Sequence, residues 1–298
     1  MNNLKNKIFL SIIIPFHNRV NLLFTTLESI MLNNYNSYEI ILIDDGSSTN
    51  ETLRVKKYIQ DKDIKYYKIN KSERGFARNF GAKKANGFYL NFFDSDDICI
   101  NNHVIETVKF ANKYNFPKIF AHSYLVKNIN KKINKKITYK TNLNKYIFYN
   151  NIISCNSVII EKNLFLKYQF CENKKLSGSE DWDLWLRLAN ENRFLGSRSI
   201  TSQIIDHDFR STRKQNLSKE IIRLNILKKR VLDKNIINLS KKNTRIVLSE
   251  IFFFKSMAYS NISKNKKLII VLFLKSIFLN KLNIFKKRSL VIIRNLIF

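Results

Sequence analysis

Two periods of apolar and polar positions run along this chain. Up to about residue 126, short β-branched runs alternate with amphipathic segments, the pattern of repeated strand and helix units. The runs predict strands from Phe9 to Ile14, Glu39 to Ile43, Ile64 to Ile69, Phe88 to Phe93 and Lys118 to Val126. Between them the spacing predicts helices near residues 20–33, 51–60, 76–86 and 101–115. IFLSIII and EIILI are apolar almost throughout, as strands are when helices cover both faces of a parallel sheet. The pattern predicts an α/β architecture of the nucleotide-binding type.

Residues 127–146, rich in Lys and Asn, break the pattern and read as an exposed hairpin or mobile loop. A second α+β portion follows, with a strand around Ser154 to Ile160, a helix over 180–190 and an extended segment from Phe194 to His207. After Arg213 the texture changes to long helical patterns separated by Asn-rich turns. The chain is expected to divide into residues 1–212 and a basic helical region, 213–298.

Charge sharpens this division. The 298 residues carry 53 basic and 23 acidic side chains, a net charge of +30. Residues 213–298 hold 21 lysines and arginines against Glu220, Asp233 and Glu250, a surplus of 18. In KLIIVLFLKSIFL, Ile269, Leu272, Phe273 and Ile277 recur at helical spacing between lysines. Such a helix fits either a solvated face on a packed bundle or peripheral attachment to an anionic membrane. Lys greatly outnumbers Arg, and Asn and Ile are abundant, which weakens a nucleic-acid partner. Hydrophobic residues make up 45% of the chain, enough for a real core and against disorder.

The three cysteines, Cys99, Cys155 and Cys171, have no disulfide or zinc spacing, which fits a reducing cytoplasm. Pro15, His17, Asn18 and Arg19 interrupt the apolar N-terminal run, so it reads as a strand rather than a signal peptide. The longest apolar run near the C-terminus, LIIVLFL, is far below the roughly 20 residues a membrane-spanning helix needs.

Candidate chemistry gathers at strand ends. IDDGS follows the second strand and FFDSDD closes the fourth, so both acidic loops are expected at the edge where open α/β sheets bind ligands. Asp94, Asp96 and Asp97 repel one another unless a cation, water or backbone donors screen them. Mg2+ and Mn2+ take oxygen ligands, commonly one or two carboxylates plus substrate phosphates. A plain acidic turn is the alternative. Between these loops, Arg74 and Arg78 flank Gly75 at a helix start, suited to a phosphate or a base carbonyl. Neither GxxxxGK[ST] nor GxGxxG occurs, so an ATPase or a dinucleotide oxidoreductase is not supported. Glu180 and Asp181 follow SGS, where simple helix capping is the competing explanation.

SIIIPFHNR, EIILIDDGS, GFARNFGAKKANGFYLNFFDSDD and GSEDWDLWLRLA, in this order, resemble the family 2 glycosyltransferases of GT-A fold over roughly residues 8–212. The resemblance implies one nucleotide-sugar domain on a mostly parallel sheet, a nucleoside diphosphate sugar donor, usually a UDP-sugar, a bridging Mn2+ or Mg2+, and inversion at the anomeric carbon. It implies a base pocket containing Pro15, Phe16 and His17, with Asp45 on the uracil imide and Asp44 supporting that turn. Arg78 would contact the base or diphosphate, Asp94 with Ser95 the ribose and donor, and Asp96 the metal, while Asp97 holds the turn. Asp181 would be the catalytic base with Glu180 beside it, Trp182 a candidate acceptor contact, and His207 a metal or diphosphate contact with Arg210 behind it. The absence of QxxRW and of spanning helices disfavours a processive synthase.

The expectation is therefore a cytoplasmic single-sugar transferase acting on a glycan or lipid-linked acceptor, with possible peripheral attachment at the inner face of a membrane. A catalytically dead scaffold on membrane or nucleic acid and a nucleotidyltransferase are the competing readings.

Overall fold

The computed structural model describes residues 9–33, 35–100, 102–128, 133–207, 216–263 and 265–297. In chain order the first elements are β1 (Leu10–Phe16), α1 (Val20–Met31), β2 (Tyr38–Asp45), α2 (Thr49–Ile59), β3 (Ile64–Ile69), α3 (Arg74–Lys84), β4 (Tyr89–Phe92), β5 (Ile98–Cys99) and α4 (His103–Lys113). Then come β6 (Ile119–Asn128), β7 (Ile133–Ile137), α5 (Asn144–Ile147), β8 (Val158–Glu161), α6 (Lys162–Tyr168), α7 (Glu180–Glu191) and β9 (Leu195–Asp206). Helices α8 (Leu217–Leu232), α9 (Lys241–Ile262), α10 (Lys266–Leu279) and α11 (Lys287–Ile297) complete the chain.

The strands form one mixed sheet in the order β3-β2-β1-β4-β8-β6-β9-β5, with β7 paired to β6. β3, β2, β1 and β4 are parallel neighbours, so the expected parallel sheet occupies this half. β8 enters antiparallel between β4 and β6, which makes the whole sheet mixed. Within the lysine-rich stretch, β7 pairs antiparallel with β6.

Two-sided burial explains the uninterrupted apolar strands. Ile12 and Ile14 of β1 and Ile40 and Leu42 of β2 share a buried cluster with Val20, Leu23, Leu27 and Ile30 of α1 and Val55 of α2. Ile13 and Ile43 point the other way, onto α3, which lies so close that a Cβ on Gly81 would stand 2.4 Å from Ile13 Cγ2. Glycine is what permits that approach.

The chain forms two compact units. One holds the described residues up to Asn144, Ile153–Glu172 and the segment from Asn192 to His207, including the sheet. The other holds Lys145–Ile152, Asn173–Glu191 and the described residues after 215. In this second unit α9 and α10 form an antiparallel hairpin: Ser249 Oγ donates to Ser276 O at 3.0 Å and Ser256 Oγ to Ile269 O at 2.9 Å. Phe253, Ile269, Phe273 and Ile292 form its small core. No helix among the described residues is long and apolar enough to cross a membrane.

Candidate active site

Because β1, β2 and β4 run parallel, their C-terminal ends meet at one edge of the sheet, the ligand-binding edge of open α/β folds. Pro15 is half-buried at the end of β1, Phe16 packs into the core and His17 is exposed. His17 Nδ1 lies 3.0 Å from the Asp45 carbonyl oxygen, which only accepts, so this nitrogen carries the proton. Asn18 and Arg19 follow with φ of 54° and 56°, both left-handed. This turn lets Asn18 N donate to Ser47 Oγ at 2.8 Å while Asn18 Oδ1 accepts from Ser48 N at 3.0 Å. The loops after β1 and β2 are thereby laced together.

The two acids of IDDGS have separate surroundings. Asp44 is fully buried, and its carboxylate accepts from Ser47 N at 2.8 Å, Thr52 Oγ1 at 2.8 Å and Tyr66 Oη at 2.6 Å. Burial pushes its pKa up, but these donors outweigh burial and hold the carboxyl below the usual range. Asp44 thus secures the start of α2. Asp45 accepts from Ser72 N at 2.6 Å, Ser72 Oγ at 2.7 Å and Lys71 Nζ at 2.8 Å. Gly46, with φ of 73°, passes against the Lys71 backbone, where a Cβ would stand 2.8 Å from Lys71 N. Asp45 therefore ties the end of β2 to the loop that leads into α3.

Arg78 of α3 is only 2% exposed. Its Nη2 donates to Asp94 Oδ1 at 2.7 Å, and its guanidinium lies 5.2 Å from the Phe170 ring centroid. A buried guanidinium paired in this way orients both partners and brings a fixed positive charge to the sheet edge.

The turn after β4 carries the other acids. Asp94 and Asp96 are partly exposed, Ser95 lies in the turn between them, and Asp97 is fully buried. Asp97 Oδ1 accepts from Ile205 N of β9 at 2.9 Å and its Oδ2 from Asn156 Nδ2 at 2.5 Å. Asn156 also accepts from Asp94 N through Oδ1, at 2.9 Å. One amide therefore grips both ends of the acidic turn. Asn156 carries no local signal in the sequence, where the pattern predicts a strand from Ser154. A 3-10 turn, Cys155–Ser157, stands there instead, and β8 begins after it.

The donor set fits a hard divalent cation. Asp94, Asp96 and Asp97 each offer an oxygen, all within 4.8 Å of one another, and His207 Nε2 lies 3.1 Å from Asp96 Oδ2. Carboxylate oxygens suit Mg2+ and Mn2+ alike. With Asp97 hydrogen-bonded to Asn156 and Ile205, Asp94 and Asp96 are the acids at the exposed side of the turn. Arg210 lies outside the described residues.

Glu180, Asp181 and Trp182 open α7 in the second unit. Glu180 is buried and accepts from Gly178 N at 2.5 Å, whereas Asp181 is partly exposed and accepts from Trp182 N at 2.7 Å. Trp182 is buried: its Nε1 donates to Ile147 O at 2.9 Å and its ring meets Phe254 edge to face at 6.0 Å. The third acid of this stretch, Asp183, is fully buried between Arg187 at 3.0 Å and Arg230 of α8 at 2.6 Å. A pairing with a residue 47 positions away has no local signal in the sequence.

The sequence profile described as Glycosyl transferase family 2 matches residues 11–165. An uncharacterized glycosyltransferase of Rickettsia felis is 31% identical over 203 residues, covering 65% of this chain and 32% of that protein. The chain thus spans about a third of the Rickettsia felis relative's length. The Escherichia coli protein UDP-Glc:alpha-D-GlcNAc-diphosphoundecaprenol beta-1,3-glucosyltransferase WfgD is 30% identical over 189 residues, covering 61% of this chain and 70% of that protein. Among solved structures, S. aureus TarS in complex with UDP-GlcNAc matches with a TM-score of 0.61 at 16% identity, covering 94% of this chain and 92% of that one, a likeness of fold alone. The profile match extends over more than half of the 298 residues and includes the loops after β1, β2 and β4, so the chain belongs to glycosyl transferase family 2.

Proposed function

We propose that the chain transfers one sugar from a nucleoside diphosphate sugar, a UDP-sugar, to a hydroxyl of a glycan or lipid-linked acceptor, with inversion, at the inner face of a membrane. The observation that carries this reading is the single cluster of Asp94, Asp96, His207 and Arg78 at the C-terminal edge of a parallel sheet. The lipid-linked acceptor class is supported by the Escherichia coli relative WfgD, named as a glucosyltransferase acting on alpha-D-GlcNAc-diphosphoundecaprenol.

Pro15, Phe16, His17 and Asp45 would bind the base, with Asp44 fixing their loops. Asp94 and Ser95 would hold the ribose side of the donor, with Arg78 supplying positive charge. Asp96 and His207 would hold Mn2+ or Mg2+, which when bound neutralises charge on the diphosphate leaving group. Asp181 would act as the general base. The acceptor oxygen bonds to the anomeric carbon, the bond from that carbon to the diphosphate breaks, and the acceptor proton passes to the Asp181 carboxylate. Attack opposite the leaving group inverts the centre. Glu180 would fix the start of α7, and Trp182 would shape the acceptor side from its buried position.

Donor-dependent transfer measured with Asp96→Ala and Asp181→Asn tests these roles. Each substitution is expected to lower turnover by about a hundredfold or more. Unchanged transfer in either variant contradicts the role given to that residue. Release of pyrophosphate in place of nucleoside diphosphate would instead identify a nucleotidyltransferase.

A further inference from the structure

Among the described residues, helix α10 is apolar on both faces but is covered on only one. Ile269, Leu272, Phe273 and Ser276 pack inward on the hairpin with α9, while Ile270, Val271, Leu274 and Phe278 recur at helical spacing on the opposite side and are exposed, Phe278 to 76%. A helix apolar all round is ordinarily buried all round. Val271, Leu274, Lys275, Phe278 and Leu279 line an open apolar groove with Phe252 of α9. Exposed Lys266, Lys267 and Lys275 lie on the same helix. Next along the chain, Phe285 is 83% exposed beside Lys287 and Arg288.

We infer that the Ile270–Val271–Leu274–Phe278 face of α10 is the surface by which this protein docks on an anionic bilayer, its aromatic and aliphatic side chains entering the interface and its lysines meeting lipid headgroups. Charge selects this occupant. No acidic residue follows Glu250, whereas ten lysines and arginines do. A second copy of this chain would bring lysine-flanked faces together across a two-fold axis, like charge against like. An anionic lipid surface complements the basic flanks and the apolar stripe together, and lysine stems can lie along apolar surface while their ammonium groups stay in water. This surface deepens the proposed function, on which it rests for its purpose, by placing the enzyme beside a lipid-linked acceptor.

The test is co-sedimentation of the full chain, without any nucleotide sugar, with vesicles of equal parts phosphatidylcholine and phosphatidylglycerol, compared with phosphatidylcholine alone. Binding is expected to the mixed vesicles, to weaken with salt, and to fall about tenfold or more on phosphatidylcholine. Leu274→Glu with Phe278→Glu, and separately Lys267→Glu with Lys275→Glu, are each expected to lower binding by about tenfold or more, with melting temperature and donor-dependent nucleotide release retained. Binding unchanged in folded forms of both variants overturns the inference. So does a wild-type dimer that Leu274→Glu with Phe278→Glu dissociates in the absence of vesicle binding, because the occupant is then a second copy. Lost vesicle binding with nucleotide release intact removes only this surface, whereas retained binding in a protein that processes no donor removes the proposed function instead.

Discussion

At the residue scale, the acidic turn is held by residues that do not share its charge. Asn156 contacts Asp97 and Asp94 from a position 59 residues beyond Asp97, and Arg78 pairs with Asp94 from 16 residues before it. Removing the Asn156 amide takes one hydrogen-bond donor from buried Asp97, a cost of about 1–3 kcal/mol. Asn156→Ala is therefore expected to lower the denaturant midpoint and to weaken Mn2+-dependent stabilisation, whereas Asn156→Gln restores part of both; equilibrium unfolding with and without the ion measures each. The aspartates of both loops were legible in the sequence because several acids behind an apolar run are conspicuous. Asn156 was not, since a single asparagine in a polar stretch means nothing until the fold brings Asp97 beside it.

At the element scale, strands buried on both faces announced themselves, and β3 has the bounds its pattern predicts. The antiparallel entry of β8 between β4 and β6 was not visible, because pairing order depends on contacts far apart in sequence. Nor was the buried bridge by which α4 meets the sheet: His103 Nδ1 lies 2.8 Å from Thr201 Oγ1 of β9, and its Nε2 lies 3.2 Å from Asn91 Oδ1 of β4. Burial lowers the His103 pKa from 6.5 to about 4. Above pH 6.5 the imidazole is neutral in both folded and unfolded chains. Below that value the unfolded chain takes up a proton that the fold resists, so stability is lost as pH falls from 6.5 to about 4. The loss is on the order of 3 kcal/mol. Buried His122, whose pKa is also lowered, first by burial and then by His103, acts in the same direction. Denaturant midpoints measured across this range are expected to decline, and His103→Gln is expected to flatten the decline.

In the second unit, Asp183 ties α7 to α8 through Arg230. Asp183→Ala leaves Arg187 and Arg230 without this buried partner and is expected to cost about 3 kcal/mol of stability. Asp183→Asn is expected to cost less, because it keeps an oxygen acceptor in place. Urea unfolding followed by tryptophan fluorescence reports this directly, since Trp182 and Trp185 lie on the same helix.

At the scale of the whole molecule, charge and chemistry are separately distributed. The candidate donor residues lie in the unit that contains the sheet, while the excess basic charge is concentrated in the C-terminal helices. The strand-end acids are proposed to meet a nucleoside diphosphate through a divalent cation, and the exposed face of α10 a lipid surface. Asp96 and its neighbours are proposed to bind a nucleotide sugar together with a divalent cation. Thermal unfolding of the full chain across a panel of nucleotide sugars, with and without Mn2+, tests this most directly. One UDP-sugar at 100 times its dissociation constant is expected to add about 2.7 kcal/mol of stability when Mn2+ is present, with the gain lost in Asp96→Ala. Stabilisation by no nucleotide sugar, or an equal gain without Mn2+ and in Asp96→Ala, would rule out metal-assisted donor binding at Asp96.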